Sequence, residues 1–300
     1  MNTSASAPAP RARPRLRDFL ELVKFSHTVF ALPFALAAML VAGRGLPSPA
    51  TFGWIVLAMV GARTAAMGFN RIADRDIDAL NPRTRSREIP AGKVSVAQAA
   101  ALVGLASAAF VLAACRLGVL AGWLSLPTLG LLFFYSWCKR FTSLSHFVLG
   151  LCLGIAPAGA WVAVRGYTSI LQMEAAPVAL CLAVMLWVAG FDVIYATLDD
   201  EFDRSVGLHS LVQQLGVARA LFFARGLHAA FVALLWAFGL LAHLGLSFAI
   251  GVAFIGGFLV YEHSLVSQSD LRRVNAAFFT VNGLIAGLFL ALCAASVWLG

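Results

Sequence analysis

Long apolar runs separated by short polar stretches dominate the chain. Nine runs of roughly 18–22 residues, each long enough to cross a hydrocarbon layer of about 30 Å as a helix, centre near Leu36, Val60, Ala106, Leu126, Leu153, Val184, Leu234, Val252 and Leu288. The pattern predicts an all-α integral membrane protein of nine transmembrane helices, with the lipid bilayer as its first partner. The first seventeen residues hold no apolar run and are rich in Pro, Ala and Arg. They read as a disordered cytoplasmic tail (1–17) rather than a signal peptide, which needs an apolar core and a cleavage site. No linker divides the remainder, so 18–300 is expected to be one membrane domain.

The positions of Lys and Arg then orient the spans. Arg11, Arg13, Arg15, Arg17 and Lys24 precede the first run; Arg71, Arg75, Arg83, Arg85, Arg87 and Lys93 follow the second. Lys139, Arg140, Arg204, Arg219, Arg225, Arg272 and Arg273 fall in the loops of that same side, and only Arg44, Arg116 and Arg165 fall opposite. Basic loops stay inside, so the N-terminus is expected in the cytoplasm and the C-terminus, after an odd number of spans, outside. Composition agrees: 61% of residues are hydrophobic and 12% charged, against about 25% charged in soluble domains. Topology accounts for the net charge of +8, and no nucleic-acid partner is expected. Five cysteines scattered through apolar segments show no C-x-x-C spacing and read as small buried hydrophobes.

Two acidic clusters interrupt the oily pattern, both on the cytoplasmic side. N-R-I-A-D-R-D-I-D places Asn70, Asp74 and Asp78 four apart; D-V-I-Y-A-T-L-D-D-E-F-D contains Asp192, Asp199 and Asp203. Together they hold eight of the fourteen Asp and Glu residues. Carboxylates at i and i+4 share a helix face and repel unless a cation lies between them. Mg²⁺ takes one or two carboxylates together with phosphate oxygens and water, so two such pairs imply Mg²⁺ and a polyphosphate ligand. Asp192, seven residues before Asp199, is expected on the same face, whereas Asp76 and Asp200 point away. The offset of 125 residues from Asp74 to Asp199 and from Asp78 to Asp203 suggests a duplicated helical unit.

Basic residues supply the other half of a diphosphate site. Arg63 lies seven residues before Asn70 inside a span, where an arginine needs a polar partner. The loop N-P-R-T-R-S-R-E-I-P-A-G carries Arg83, Arg85 and Arg87, and Lys139 with Arg140 follows Tyr135 at a helix end. These side chains either meet phosphate or are ordinary inside-positive charge. The six histidines show no metal-binding spacing; His27 reads as a polar residue at the head of helix 1, and His209 as a loop-ordering one.

These motifs resemble those of the UbiA superfamily of intramembrane prenyltransferases. Asn70, Arg71, Asp74 and Asp78 match its pattern N-D/R-x-x-D-x-x-x-D, and Asp192, Tyr195, Asp199 and Asp203 match D-x-x-Y-x-x-x-D-x-x-x-D. The stretches K-F-S-H-T-V-F-A-L-P-F and N-P-R-T-R-S-R-E-I-P-A-G are similar to bacterial 4-hydroxybenzoate polyprenyltransferases. D-D-E-F-D-R-S-V-G-L-H-S is closer to relatives proposed for the futalosine branch of menaquinone synthesis. Arg71 stands where the family often has Asp.

The resemblance implies a multi-pass enzyme of the bacterial inner membrane that transfers a polyprenyl group from an allylic polyprenyl diphosphate to an aromatic acid acceptor, in ubiquinone or menaquinone biosynthesis. Asn70, Asp74, Asp78, Asp192, Asp199 and Asp203 would hold Mg²⁺, with Asp74, Asp78, Asp199 and Asp203 catalytic. Arg63, Arg71, Arg87, Lys139 and Tyr195 would bind substrate, and Arg140 the acceptor carboxylate. A CDP-alcohol phosphotransferase is excluded because no D-G dipeptide is present. A cation-coupled transporter, the non-enzyme alternative, would place its acids at mid-span.

Overall fold

The computed structural model of the protein describes residues 15–23 and 31–299. Most of the expected tail, together with Lys24 and His27, lies outside the described residues. The described part of that tail already turns into α1 (Leu16–Leu22), whose last residue is fully buried.

Among the described residues every regular element is helical apart from one isolated bridge between Ser267 and Asp270. Eight helices are long and apolar enough to cross a membrane: α3 (Pro49–Ala73), α5 (Val96–Leu117), α6 (Val119–Cys138), α7 (Ser145–Arg165), α8 (Ala175–Ala196), α11 (Val217–Leu241), α12 (Gly245–Ser264) and a last span from Val274 to Leu299. The last begins as α13 (Val274–Ala276), loosens into a π-turn (Ala277–Val281) and continues as α14 (Asn282–Leu299). The run centred near Leu36 forms α2 (Ala31–Gly43), 13 residues long. That is shorter than a span needs, and the residues before it are not described, so the structure supports eight of the nine expected spans.

Caps explain the boundaries. Ser48 accepts a hydrogen bond from the Thr51 N–H and Pro49 opens α3, while Ser95 and Gln98 form a reciprocal capping box on α5. Between spans, small residues set the packing. A Cβ on Gly150 or Gly154 of α7 would overlap the carbonyls of Met185 and Cys181 on α8, so this G-x-x-x-G face brings the two backbones into contact. Helix α2 packs on both α7 and α14 and closes the bundle. At its centre Phe34, Trp187, Phe231, Phe238, Phe248 and Phe289 are at most 1% exposed. The polar residues that matter collect at one end of the bundle, where α3, α6 and α8 finish and α7 begins.

Candidate active site

The two acidic motifs fold into the same local device. Helix α3 ends at Asp74, and the six-residue α4 (Arg75–Leu80) starts immediately after it. After α8, Asp199 precedes the six-residue α9 (Asp200–Ser205). Asp74 has φ −94° and ψ 3°, and Asp199 has φ −110° and ψ 0°. Both occupy the bridge region between helix and strand, where many active-site residues sit. Asp78 and Asp203 each donate back across one turn: the Asp78 N–H bonds to the Asp74 carbonyl at 2.7 Å and the Asp203 N–H to the Asp199 carbonyl at 2.8 Å. The short helices are offset by the same 125 residues as the aspartates, as a duplicated unit requires.

The expected shared face of Asp192 and Asp199 is not carried by one continuous helix. Helix α8 stops at Ala196, and Thr197, Leu198 and Asp199 make i→i−3 bonds. A tighter turn of 3.0 residues advances the chain by about 20° more per residue than an α-helix, which moves Asp199 from about 20° on one side of Asp192 to about 40° on the other, on the same flank. Asp192 has its own anchor: its Oδ2 lies 2.6 Å from Nδ1 of His146, which is fully buried at the start of α7. The other ring nitrogen accepts the Leu211 N–H at 3.4 Å, fixing the imidazole between α8 and α10 (Leu211–Leu215). His146 was not singled out by sequence because no second histidine stands at a ligand spacing. Only its position at the head of a span, opposite an aspartate, carried a signal.

Side chains from both motifs and the loop between α4 and α5 meet here. Asn70 donates to Asp74 Oδ2 at 2.9 Å and approaches the Ser136 hydroxyl at 3.5 Å. Arg87 donates to Asp78 Oδ1 at 2.6 Å. Arg83, from the same loop, crosses to the second motif. Its Nε donates to Asp199 Oδ1 at 3.0 Å, its Nη2 pairs with Asp199 Oδ2, and its Nη1 donates to the Tyr195 hydroxyl at 2.7 Å. The loop charge is therefore not merely solvated. Arg140 donates to the Ala73 carbonyl at 2.6 Å, reaches Asp74 Oδ1 at 3.5 Å and stacks on Trp137. Arg71, 4% exposed, turns inward to the Leu22 carbonyl at 3.3 Å and lies 4.0 Å from Asp78 Oδ2. Arg63 is half-buried within α3. Asp76 is largely exposed, and Asp200 pairs with Arg204; both stay outside the cluster, as expected. The Lys139 carbonyl accepts the backbone N–H of His209 at 2.7 Å, which ties the loop before α10 to the end of α6.

Lys139 is the electrostatic centre. Burial pulls its ammonium down, but Asp192, Asp203, Asp199 and Asp74 outweigh that and hold it above the ordinary lysine value. Burial and the neighbouring Asp78 push the Asp74 carboxyl up, against Arg140 and Lys139. Burial likewise raises Asp203, against Lys139. One Oδ2 on each of Asp78 and Asp203 is buried without a hydrogen-bond partner among the described residues. Among the described residues, no three His, Cys, Asp or Glu side chains gather in a ready-made cage. Two separate carboxylate pairs with spare, hard oxygen donors nevertheless suit Mg²⁺, which shares its shell with phosphate and water.

Residues 31–298 match the UbiA prenyltransferase family. The chain is 33% identical over 271 residues to a 4-hydroxybenzoate octaprenyltransferase of Methylococcus capsulatus, covering 89% of each chain. It is 31% identical over 289 residues to one of Aromatoleum aromaticum, covering 93% of this chain and 94% of the relative. Among solved structures, the apo structure of a UbiA homolog from Aeropyrum pernix K1 superposes with a TM-score of 0.80 at 34% identity, covering 89% of this chain and 97% of that one. A UbiA homolog from Archaeoglobus fulgidus bound to GPP and Mg²⁺ shares the fold at a TM-score of 0.72 and 22% identity, with coverage of 93% and 99%. Paired aspartate turns at one end of an apolar helical bundle, matched from α2 to the last turn of α14, place this chain in the UbiA prenyltransferase family.

Proposed function

We propose that this protein transfers a polyprenyl group from an allylic polyprenyl diphosphate to an aromatic acid such as 4-hydroxybenzoate, in the biosynthesis of a respiratory quinone. The observation that carries the reading is the matched pair of aspartate turns with Lys139 between them and Arg83 bridging across. Relatives named for 4-hydroxybenzoate octaprenyl transfer support the acceptor. The homolog solved with GPP and Mg²⁺ supports a divalent ion and a prenyl diphosphate.

In this reading Asp74, Asp78, Asp199 and Asp203 hold Mg²⁺, with Asn70 and Asp192 completing the donor set. The bound metal supplies positive charge to the departing diphosphate. Lys139, Arg83, Arg87 and Arg63 add fixed cations where negative charge develops as the allylic C–O bond breaks. Tyr195 is aimed by Arg83, and Arg71 acts by positioning Asp78. Arg140, oriented by the Ala73 carbonyl and Trp137, receives the acceptor carboxylate. The allylic carbon bonds to the ring ortho to the phenol, and the ring proton leaves to a site carboxylate or a diphosphate oxygen. Phe191 and Phe278, packed edge-to-face against each other with Phe278 also on Tyr195, exclude water that would otherwise divert the allyl cation to an alcohol. The run centred near Leu36 counts as the ninth span in this reading, with the N-terminus and site cytoplasmic, as the basic loops favour. The tail 1–17 stands outside the membrane domain 18–300.

Membranes containing the protein, given radiolabelled polyprenyl diphosphate, Mg²⁺ and 4-hydroxybenzoate, are expected to yield a lipid-soluble aromatic product. EDTA or Asp74→Asn should abolish it. Diphosphate release without that product would move the acceptor to another aromatic acid. Mg²⁺-dependent product from a clean Asp74→Asn preparation would overturn the metal assignment.

A further inference from the structure

We propose that the end of the bundle opposite the aspartate turns binds a phospholipid, with its phosphodiester in a polar cavity and an acyl chain in an adjoining apolar groove. Helices α2, α7 and α11 finish at this end and α8 begins there. Between them lies a cavity of about 270 Å³ whose polar lining is Arg44, Trp161, Arg165, Glu174 and His243.

The polar groups facing this cavity are arranged for an anion. Arg165 is committed to Glu174, with Nε to Oε1 at 2.9 Å. Arg44 uses one N–H on the Ala242 carbonyl at 2.9 Å, and no carboxylate pairs with it among the described residues. One positive charge is left over, matching the single negative charge of a phosphodiester. The first residues of α8, Ala175 and Ala176, also line the cavity, and the N-cap Glu174 makes no side-chain bond to them. The positive end of a 22-residue helix therefore faces inward. Trp161 is 3% exposed, and its indole Nε1 makes no well-aligned hydrogen bond among the described residues. The acceptor in its reach is Glu174, whose carboxyl is lowered, against burial, in part by Arg165 and in part by that N–H, so the indole is one more donor aimed at the cavity.

The backbone points to the same place. Arg44 (φ 50°) and His243 (φ 54°) are the only non-glycine residues with positive φ among those described. Each terminates a helix: the Gly45 N–H returns to the Leu40 carbonyl and the Leu244 N–H to the Gly239 carbonyl. Comparable turns after α7 and α9 use Gly166 and Gly207. An L residue in this conformation is strained where glycine is not, and both exceptions put a cationic or titratable side chain on the same cavity. Positive charge is also scarce at this end of the molecule. Of the three arginines that sequence assigns to this side, two are in this cavity.

The groove identifies the ligand as a lipid. His243 also lines a second cavity of about 650 Å³, between α11 and α12, whose other walls include Trp236, Leu240 and Phe248. Leu240 is 77% exposed and Trp236 46% exposed on the flank that faces hydrocarbon. A polar pocket for one phosphate and an apolar channel sharing one wall fit an amphiphile rather than a free ion.

The test follows thermal unfolding of the purified full chain in detergent with added phosphatidylglycerol or with inorganic phosphate. His243→Gly and Arg44→Gly are the informative variants, because glycine relieves the left-handed strain. His243→Gly is expected to melt at or above the parent without lipid. Phosphatidylglycerol should raise the parent's melting temperature, and half-saturation should need about tenfold more lipid in either variant, a loss near 1.4 kcal/mol. Native mass spectrometry should show one lipid retained by the parent and lost from both variants. No shift in the parent, or an undiminished shift in both variants, would overturn the site. A shift from inorganic phosphate equal to that from lipid would overturn the lipid assignment.

Discussion

The two aspartate turns share a backbone but not a neighbourhood. In the first, Asp78 is locked between Arg87 and the buried Arg71, and Asp74 between Asn70 and Arg140. In the second, Asp199 is gripped by Arg83 alone among the ion pairs, and Asp203 is buried with an unpartnered oxygen. Asp192, which opens the second motif, is answered by a histidine from another span. The first turn thus carries folding weight as well as chemistry, because its cations are built into the protein. The second is charge held chiefly against Lys139 and one loop arginine.

Truncating equivalent aspartates separates the two turns most strongly. Asp78→Ala takes the carboxylate away from Arg87 and from the buried Arg71, and should lower stability by about 3–5 kcal/mol, the usual cost of breaking a buried pair from one side. Asp203→Ala removes no cation's sole partner and should change stability by less than about 1 kcal/mol. Melting curves of the purified variants decide this, and equal losses would erase the distinction.

The histidine on Asp192 comes next. His146→Ala should leave the protein folded in the membrane but slow prenyl transfer about 10–100-fold, as loss of the partner orienting a ligand typically does. His209→Ala is the control, since its contact to Lys139 runs through the backbone N–H. A rate unchanged by His146→Ala would leave Asp192 needing no orientation.

A smaller effect tests the bridge between the turns. Arg83 holds Asp199 through two nitrogens and Tyr195 through a third, a geometry that lysine cannot reproduce. Arg83→Lys should raise KM for the prenyl diphosphate by about tenfold, near 1.4 kcal/mol. Arg85→Lys, in the same loop, should do nothing measurable. Equal KM values for the two would make loop charge alone sufficient.

How much of this was legible in sequence depended on how local each signal was. Apolar length reports on one helix at a time, so among the described residues eight spans appear where hydropathy puts them, and the described part of the Leu36 run is the 13 residues of α2. Spacing of four survives at Asn70, Asp74 and Asp78 because i→i−4 bonds run through the junction of α3 and α4. Between Asp192 and Asp199 the helix is interrupted, because three residues tighten to i→i−3 bonds, and nothing in Thr197 or Leu198 announces that. His146 and the reach of Arg83 are separated from their partners by 46 and 116 residues. No periodicity along one strand of sequence connects such pairs; only the packing of α7 on α8 and the fold of the loop before α5 do so.

The finest test concerns what the two turns share. The carboxyls of Asp74 and Asp203 are both raised, chiefly by burial. A carboxyl raised on folding binds its proton more tightly in the folded state, so that contribution to stability is complete in acid and is lost as pH rises through the folded value. An amide is neutral throughout and keeps it. With EDTA present, Asp74→Asn and Asp203→Asn should therefore both melt slightly above the parent at neutral pH, with the gap closing as pH falls below the raised carboxyl values. The gap should be wider for Asp203, which has no donor on its buried oxygen, than for Asp74, where Asn70 and Arg140 already compensate the charge. A gap that is flat with pH, or wider for Asp74, would mean that the cations around the first turn do not shield it and that the two neighbourhoods are electrostatically alike.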